Sequence, residues 1–418
     1  MSSTSERVFT GYQKLVIAVL AFLNFTIILD FMILSPLGAM LMPELGISPA
    51  QFGLLVSIYA FSAGTSGILA AGFADRFDRK KLLLFFYFGF LLGTFLCAMA
   101  TSYVFLLLAR MVTGLFGGVI GAIVMAITAD LFPMAKRGRV LGFIQTAFAA
   151  SQILGIPIGL ALATRWGWHA PFLLIVGVGL GAGAIIFLKL KPIDTHLTRK
   201  TERHAFRHLL ETLTTPRYLQ AFAATVLLST GGFMLMPFSS AFCVQNLGIP
   251  LEKLPLIYLV TGLATMVAGP LVGRLADSFG KFRTFVFGSV LSAAMVILFT
   301  RLESVSVLGL MAVNSILFVG IFSRMIPSQA IMSAVPAPAM RGSFMAINSS
   351  TQQISGGIAS ALAGWLVVEG PGGRIQHFDV VGNVIVGAMA LTLIQVYFIA
   401  RYVGEASAKA PAPEPGPA

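Results

Sequence analysis

Charge is scarce in this sequence. Only 11% of its 418 residues are Asp, Glu, Lys or Arg, against about 25% in an ordinary soluble domain. Acids are the scarcer sign, 16 against 28 Lys and Arg. Cysteine is nearly absent: Cys97 and Cys243 lie in separate apolar runs and read as small core residues, not a disulfide. There is no G-x-x-x-x-G-K-[ST] phosphate loop, no metal-ligand cluster and no nucleophile triad. These absences exclude a cytosolic enzyme of ordinary kind, a disulfide scaffold and an ATPase that works through its own chain. What replaces charge is apolar surface. Hydrophobic residues make up 57% of the chain and mean hydropathy is +0.90, more than a soluble globule can hide. Strands of an outer-membrane barrel alternate and are only weakly apolar, so the composition points to an all-α integral membrane protein.

The apolar runs fall near 15–41, 51–73, 82–100, 103–129, 140–163 and 170–188, and then near 218–243, 254–273, 284–301, 305–331, 342–367 and 380–402. A span needs about 20 residues, so the expectation is twelve transmembrane helices. The first run is too long for a signal-peptide core and carries Asp30, so it reads as a retained span. The expected domains are a six-helix bundle over 1–188, a linker over 189–217, a second bundle over 218–403 and a disordered Pro- and Ala-rich tail over 404–418. In the linker, Phe206, Leu209, Leu210 and Leu213 recur at helical spacing, the pattern of an amphipathic helix lying on the bilayer surface. His204 and His208 in it read as solvated, without the glutamate of a zinc-protease motif.

The net charge of +12 belongs to loops, not to a nucleic-acid face. With the N-terminus inside, 22 of the 28 Lys and Arg fall in inside segments and 4 in outside loops. That bias places both termini in the cytoplasm. The remaining two, Arg110 and Arg324, lie within spans.

The two halves echo each other. The loop after the second span reads Ala71-Gly-Phe-Ala-Asp75-Arg-Phe-Asp-Arg79-Lys80-Lys81, and the loop after the eighth reads Gly273-Arg-Leu-Ala-Asp277-Ser-Phe-Gly280-Lys281-Phe-Arg283. Asp75 and Asp277 are 202 residues apart. A six-span repeat is the pattern of secondary transporters, whose site lies between the halves. These loops resemble the signature G-x-L-A-D-R-x-G-R-R/K of the major facilitator superfamily, and the likeness covers nearly the whole chain. Asp75, Arg76, Arg79 and Lys80 match it; Ala71 and Asp78 depart from it, while the second copy supplies Gly273 and Gly280. The resemblance implies two six-helix pseudo-repeats of the major facilitator fold. It makes Asp75, Arg76, Arg79, Lys80, Asp277 and Lys281 a conformational latch, unless the loop is merely basic and topogenic.

A second block, Arg110-Met-Val-Thr-Gly114-Leu-Phe-Gly117-Gly118, resembles the fourth-span motif R-x-x-x-G of proton-coupled members. An unpaired Arg within the bilayer costs about 2.5–3.5 kcal/mol or more. The expected partner is Asp30, because both lie roughly 12–18 Å below the same membrane face on helical rise. Leu29-Asp30-Phe-Met-Ile-Leu-Ser-Pro36 is similar to first spans of drug:proton antiporters. Burial favours a neutral acid and a nearby guanidinium favours the carboxylate, so making and breaking such a pair couples protonation to conformation. The alternative is a permanent pair that only holds helices together. Gly155-Ile-Pro157-Ile-Gly159 partly resembles the antiporter motif of the fifth span, with plain helix packing as the other reading.

In the second half Arg324 either meets an anionic substrate or plugs a gate, or it snorkels to the surface. Asn24, Asn348, Gln352 and Phe238 are the remaining candidates for a substrate cavity, with Asn314 weaker. The family likeness implies a monomeric proton-coupled exporter of a small, largely apolar compound in a bacterial-type inner membrane. Its energy comes from the proton gradient, with no cofactor, and its partners are a small-molecule substrate and the lipid bilayer. A sugar or small-metabolite exporter, or an organic-anion carrier using Arg324, is the alternative within transport. A non-transporting sensor on the same fold is the alternative outside it.

Overall fold

The computed structural model describes residues 9–73, 76–194, 197, 211–337 and 340–409, with backbone alone for 71–73, 135 and 405–409. The linker helix expected over 202–213 and the tail beyond 409 fall largely or wholly outside the described residues; 211–214 are helical. The first half holds α1 (Gly11–Leu45), α2 (Pro49–Phe73), α3 (Arg79–Ala98), α4 (Tyr103–Leu131), α5 (Met134–Ala150), α6 (Ile156–Trp166) and α7 (Ala170–Lys189). The second half holds α8 (Pro216–Gln245), α9 (Leu254–Ser278), α10 (Lys281–Thr300), α11 (Val307–Ser333), α12 (Arg341–Leu366) and α13 (Phe378–Lys409).

Polar residues at the run boundaries set the helix ends. Thr10 and Gln13 form a reciprocal capping box at the start of α1, and Gly46 closes it with φ +60°. Side chains of Asp78, Ser102 and Ser306 accept from the first-turn amides of α3, α4 and α11, which satisfies donors the helix itself cannot.

Eleven helical segments among the described residues are long and apolar enough to cross a membrane. They are the expected spans with one exception. α12 is long enough at 26 residues but carries Asn348, Ser349, Ser350, Thr351, Gln352 and Gln353 in its interior. Its polarity is affordable because its neighbours are protein: α12 lies between α2 and α8. The fifth span is not one regular helix. α5 and α6 are joined by a π-turn over Ser151–Gly155, and Pro157 follows at the first turn of α6. Proline has no amide proton for the carbonyl four residues back, and a local widening of the helix accommodates that loss. A second unforeseen element is a two-stranded antiparallel hairpin, Val368–Glu369 with Ile375–Gln376. The Asn246 side chain clamps it, accepting from the Ile375 amide and donating to the Ile375 carbonyl, both at 2.8 Å.

The halves meet along three seams, one of which sets α9 against the fifth span, where a Cβ on Gly262 would stand 3.1 Å from the Gln152 carbonyl oxygen. α2 packs against α12 through small residues: a Cβ on Gly364 would stand 2.7 Å from the Pro49 carbonyl oxygen, and one on Gly53 2.7 Å from that of Ser360. Ser57 Oγ donates to the Gly357 carbonyl at 2.7 Å. α1 packs against α8, where Ser240 Oγ donates to the Ser35 carbonyl at 3.2 Å. Within the second half, Ser360 Oγ donates to the Phe233 carbonyl at 2.9 Å. That carbonyl lies four residues before Pro237 and so lacks its helical donor. The faces turned away from the seams carry exposed apolar side chains such as Phe187, Leu188 and Leu308, as a lipid-embedded surface requires.

Close backbone approach at the α2–α12 seam makes Gly364 intolerant of a side chain. Gly364→Ala is expected to lower stability by about 1–3 kcal/mol, the usual range for overpacking. Gly387→Ala, at an exposed helical site with open space around it, is expected to raise the thermal midpoint, since Ala is the better helix former. Thermal unfolding followed by intrinsic fluorescence checks both signs.

Candidate functional site

The site is built where α1, α3 and α4 cross, with α2 behind. Glycines decide the approach of α4 to α2: a Cβ on Gly114 would lie 2.5 Å from the Tyr59 carbonyl oxygen. With that space empty, the Tyr59 ring reaches the guanidinium of Arg110, 4.5 Å from Cζ to the ring centroid, a cation–π distance. Arg110 in turn meets Asp30. Its Nη1 donates to Asp30 Oδ2 at 2.8 Å, and to the Asp30 backbone carbonyl at 3.4 Å. The second carboxylate oxygen, Oδ1, accepts from Thr94 Oγ1 at 3.1 Å. Asp30, Thr94 and Arg110 are each 0% exposed. A pair so far from water depends on its own geometry, with Thr94 and the Tyr59 face as the neighbours that replace solvent.

The span-5 residues Gly155, Pro157 and Gly159 support this cluster from the other side of α1. A Cβ on Gly155 would press Leu29 Cδ1 at 2.7 Å, and one on Gly159 would press Ile33 Cδ1 at 2.8 Å. Leu29 and Ile33 bracket Asp30 on the same helix. The two glycines therefore set how deeply α1 seats, and so where the carboxyl stands. The π-turn between them and α5 contributes Ser151, whose Oγ donates to the Phe25 carbonyl of α1 at 3.2 Å.

Arg324 does not snorkel to the surface. It is 4% exposed, inside the second half. Its Nε donates to Ser289 Oγ at 3.2 Å, its guanidinium stands 5.8 Å from the Phe285 centroid, and its Nη2 has no partner. Among the described residues a buried ion pair joins Arg110 to Asp30, and none joins Arg324 to a carboxylate.

Between the halves lies a cavity of about 30 Å³ lined by Met32, Ser35, Leu235, Ile257, Phe318, Asn314 and neighbours. It has room for about one or two waters and is far below the roughly 300–1,000 Å³ of a drug-sized site. The cavity candidates of the sequence scatter around it. Asn314 lines it. Asn348 Oδ1 instead accepts from Thr225 at 2.6 Å within the second half. Gln352 is exposed and Asn24 half-buried. Phe238 is fully buried against Phe52 of the other half, centroids 6.0 Å apart, as a packing residue of the seam.

Of the latch residues, Asp75 lies outside the described residues. Arg79 Nε meets Asp130 Oδ2 at 3.2 Å, Lys80 Nζ donates to the Phe187 carbonyl at 2.9 Å, and Arg76 is exposed. Asp78, where the family signature has glycine, does two jobs. Oδ1 caps α3 through the Lys81 amide at 2.9 Å and Oδ2 accepts from the Ile193 amide at 3.1 Å. In the second copy Asp277 and Lys281 are both exposed, and among the described residues no ion pair joins them.

Sequence reasoning missed four contributors: Tyr59, Thr94, Ser289 and Asp130. Asp130 left a legible signal. An acid at the C-terminal end of a helix opposes the macrodipole, so it calls for a cation. Tyr59, Thr94 and Ser289 left none, since each is a small polar deviation in an apolar run.

A family model described as Major Facilitator Superfamily matches residues 20–360 and 221–417. The chain belongs to the major facilitator superfamily. It is a multi-pass membrane transporter and not an enzyme. It is 26% identical over 377 residues to an MFS-type transporter of Bacillus subtilis strain 168, YceJ, spanning 89% of this chain and 93% of that one. It is 27% identical over 304 residues to a chloramphenicol resistance protein of Streptomyces lividans, spanning 72% and 76%. The crystal structure of a bacterial homologue of the human lysosomal transporter Spinster shares its fold, with a TM-score of 0.70 and 16% identity over 97% of this chain and all of that one.

Breaking the buried pair by halves should be worse than removing it whole. Arg110→Met alone is expected to destabilise the transporter by about 3–5 kcal/mol, because Asp30 is left as an uncompensated charge. Asp30→Leu in the same chain is expected to recover most of that. A thermal-stability double-mutant cycle in lipid reads the coupling, and additive effects would exclude the pair as the site's organising contact.

Proposed function

We propose that this transporter exports a small, largely apolar compound in exchange for protons, with Asp30 as the proton carrier. The observation that carries the reading is the hydrogen-bonding of Asp30. Thr94 has one hydroxyl proton and two acceptors within reach, Asp30 Oδ1 at 3.1 Å and the Phe90 carbonyl at 3.0 Å. When Asp30 is a carboxylate, the hydroxyl donates to it. When Asp30 is a neutral acid, its O–H donates to Thr94 Oγ1 and Thr94 turns to Phe90. The site thus has a satisfied arrangement for either protonation state, which a purely structural ion pair does not need.

Protonation also removes the charge that holds Arg110. The guanidinium then keeps the Asp30 backbone carbonyl and the Tyr59 face but loses its ionic partner, and α1 is freed from α4. Because Leu29 and Ile33 seat α1 on the fifth span, and Ser35 ties α1 to α8, a shift at Asp30 reaches the seam between the halves. This is the linkage alternating access requires. One proton moving down 100 mV supplies about 2.3 kcal/mol, close to a fortyfold concentration ratio at 1.4 kcal/mol per tenfold.

The apolar lining of the inter-half cavity supports an apolar cargo, and a relative named for chloramphenicol resistance supports a drug-like one. The cavity opens only when the halves part, since its present size excludes such a compound. The bias of Lys and Arg toward the loops that share a side with both termini supports a cytoplasmic placement of those termini in a bacterial-type inner membrane. The working unit in this reading is a monomer, driven by the gradient with no cofactor.

Proteoliposomes with an imposed pH gradient and an internal pH dye test the proposal. Lipophilic cations, neutral drugs, sugars and organic acids are added singly. At least one is expected to dissipate the gradient in the wild type and not in Asp30→Asn. Proton movement that survives Asp30→Asn unchanged would remove Asp30 from the mechanism.

A further inference from the structure

Among the described residues, the buried core holds one cation without a carboxylate partner. Asp30 and Arg110 cancel, and Arg324 is left over. It is a fixed positive charge, 4% exposed, whose one polar contact is the neutral hydroxyl of Ser289. That hydroxyl already gives its own proton to the Phe285 carbonyl at 2.8 Å, so it serves Arg324 as an acceptor, and Nη2 remains without a partner. A second orphan lies on the same seam. Ser292 Oγ, one turn along α10 from Ser289, is buried and unpartnered, and it faces Gly320, one turn along α11 from Arg324, where a Cβ would meet it at 2.8 Å. Buried donors without acceptors are rare unless something else visits them.

Arg324 is also close to the route between the halves. Nη1 would be 3.7 Å from a Cβ on Gly231, and the next residue, Gly232, lines the inter-half cavity with nothing within 4 Å of its own Cβ position. Ile321, three residues before Arg324 on the same helix, lines that cavity too. Between the guanidinium and the cavity stands the α8 backbone at Gly231 and Gly232, with Ile385 and Met389 beside Gly231, each 3.6 Å from its Cβ position. Most of the cavity lining is apolar, with Ser35, Ser239, Thr261 and Asn314 among its polar members.

We propose that Arg324 anchors a carboxylate of the transported compound, so that the preferred substrates are small amphiphilic organic acids whose apolar body fills the cavity between the halves. This deepens the reading of the chain as a proton-coupled exporter and rests on it. Seating the carboxylate would pair Nη2, and it would leave the membrane core electrically neutral in the loaded state.

Isothermal titration of the full-length protein in lipid nanodiscs with 4-phenylbutanoate and with 4-phenylbutanamide tests the anchor. The two probes share shape and differ in charge. The wild type is expected to bind the carboxylate at least tenfold more tightly than the amide. Arg324→Gln is expected to bind both alike, and Arg324→Lys to keep part of the preference. Equal binding of both probes by the wild type overturns the proposal, whether or not any variant folds. So does a preference that survives Arg324→Gln. Displacement of 4-phenylbutanoate by an equal concentration of chloride would assign Arg324 to inorganic anions and overturn it also. Proton movement is read separately in proteoliposomes. A carboxylate preference without proton movement supports the anchor and defeats the exchange mechanism. Proton exchange with neutral drugs but no carboxylate preference defeats the anchor and spares the mechanism.

Discussion

A carboxylate and a guanidinium 2.8 Å apart, both fully shielded from water, constrain everything around them. Neither charge is tolerable alone at that depth, so the helices that carry them must cross where the charges can touch. The glycines of α4 that admit Tyr59, the glycines of the fifth span that seat Leu29 and Ile33, and the Thr94 hydroxyl on α3 all serve that crossing. The pair does not supply much net stability, since desolvation offsets attraction in buried pairs. It supplies registration. One vertical placement of α1 against α3 and α4 satisfies it.

The span pattern was legible because the bilayer imposes a length and a polarity that twenty residues at a time must meet. The pairing of Asp30 with Arg110 was legible for the same reason. Two lone charges of opposite sign at one depth have few alternatives. The latch was less so. The signature loop pointed at Arg79 but not at its partner Asp130, and Asp78, a departure from the signature, serves as a helix cap and holds the Ile193 amide. Contacts of that kind depend on which loops come together, and sequence spacing does not contain it.

The polar residues of the second half show the same limit. Asn348 looked like a cavity residue because it is polar in a span, yet its carbonyl oxygen is taken by Thr225. Phe238 looked like a cavity residue because it sits beside a proline, yet it fills the seam against Phe52. Polarity or bulk in a span says that a residue has an unusual neighbour. It does not say whether that neighbour is a ligand or another helix. Arg324 is the case where the described protein offers a neutral hydroxyl and no counter-charge.

The gap that Pro237 leaves in the hydrogen-bond ladder of α8 is not that helix's private property. The vacated carbonyl, on Phe233, is filled by the Ser360 hydroxyl of α12, and α12 is in turn set backbone to backbone against α2 of the opposite half. One hydroxyl thus mends a helix of its own half from a helix that the other half holds in place. Sliding α12 along α8 would reopen the gap, so the mended ladder ties the register of those two helices to the contact between the halves.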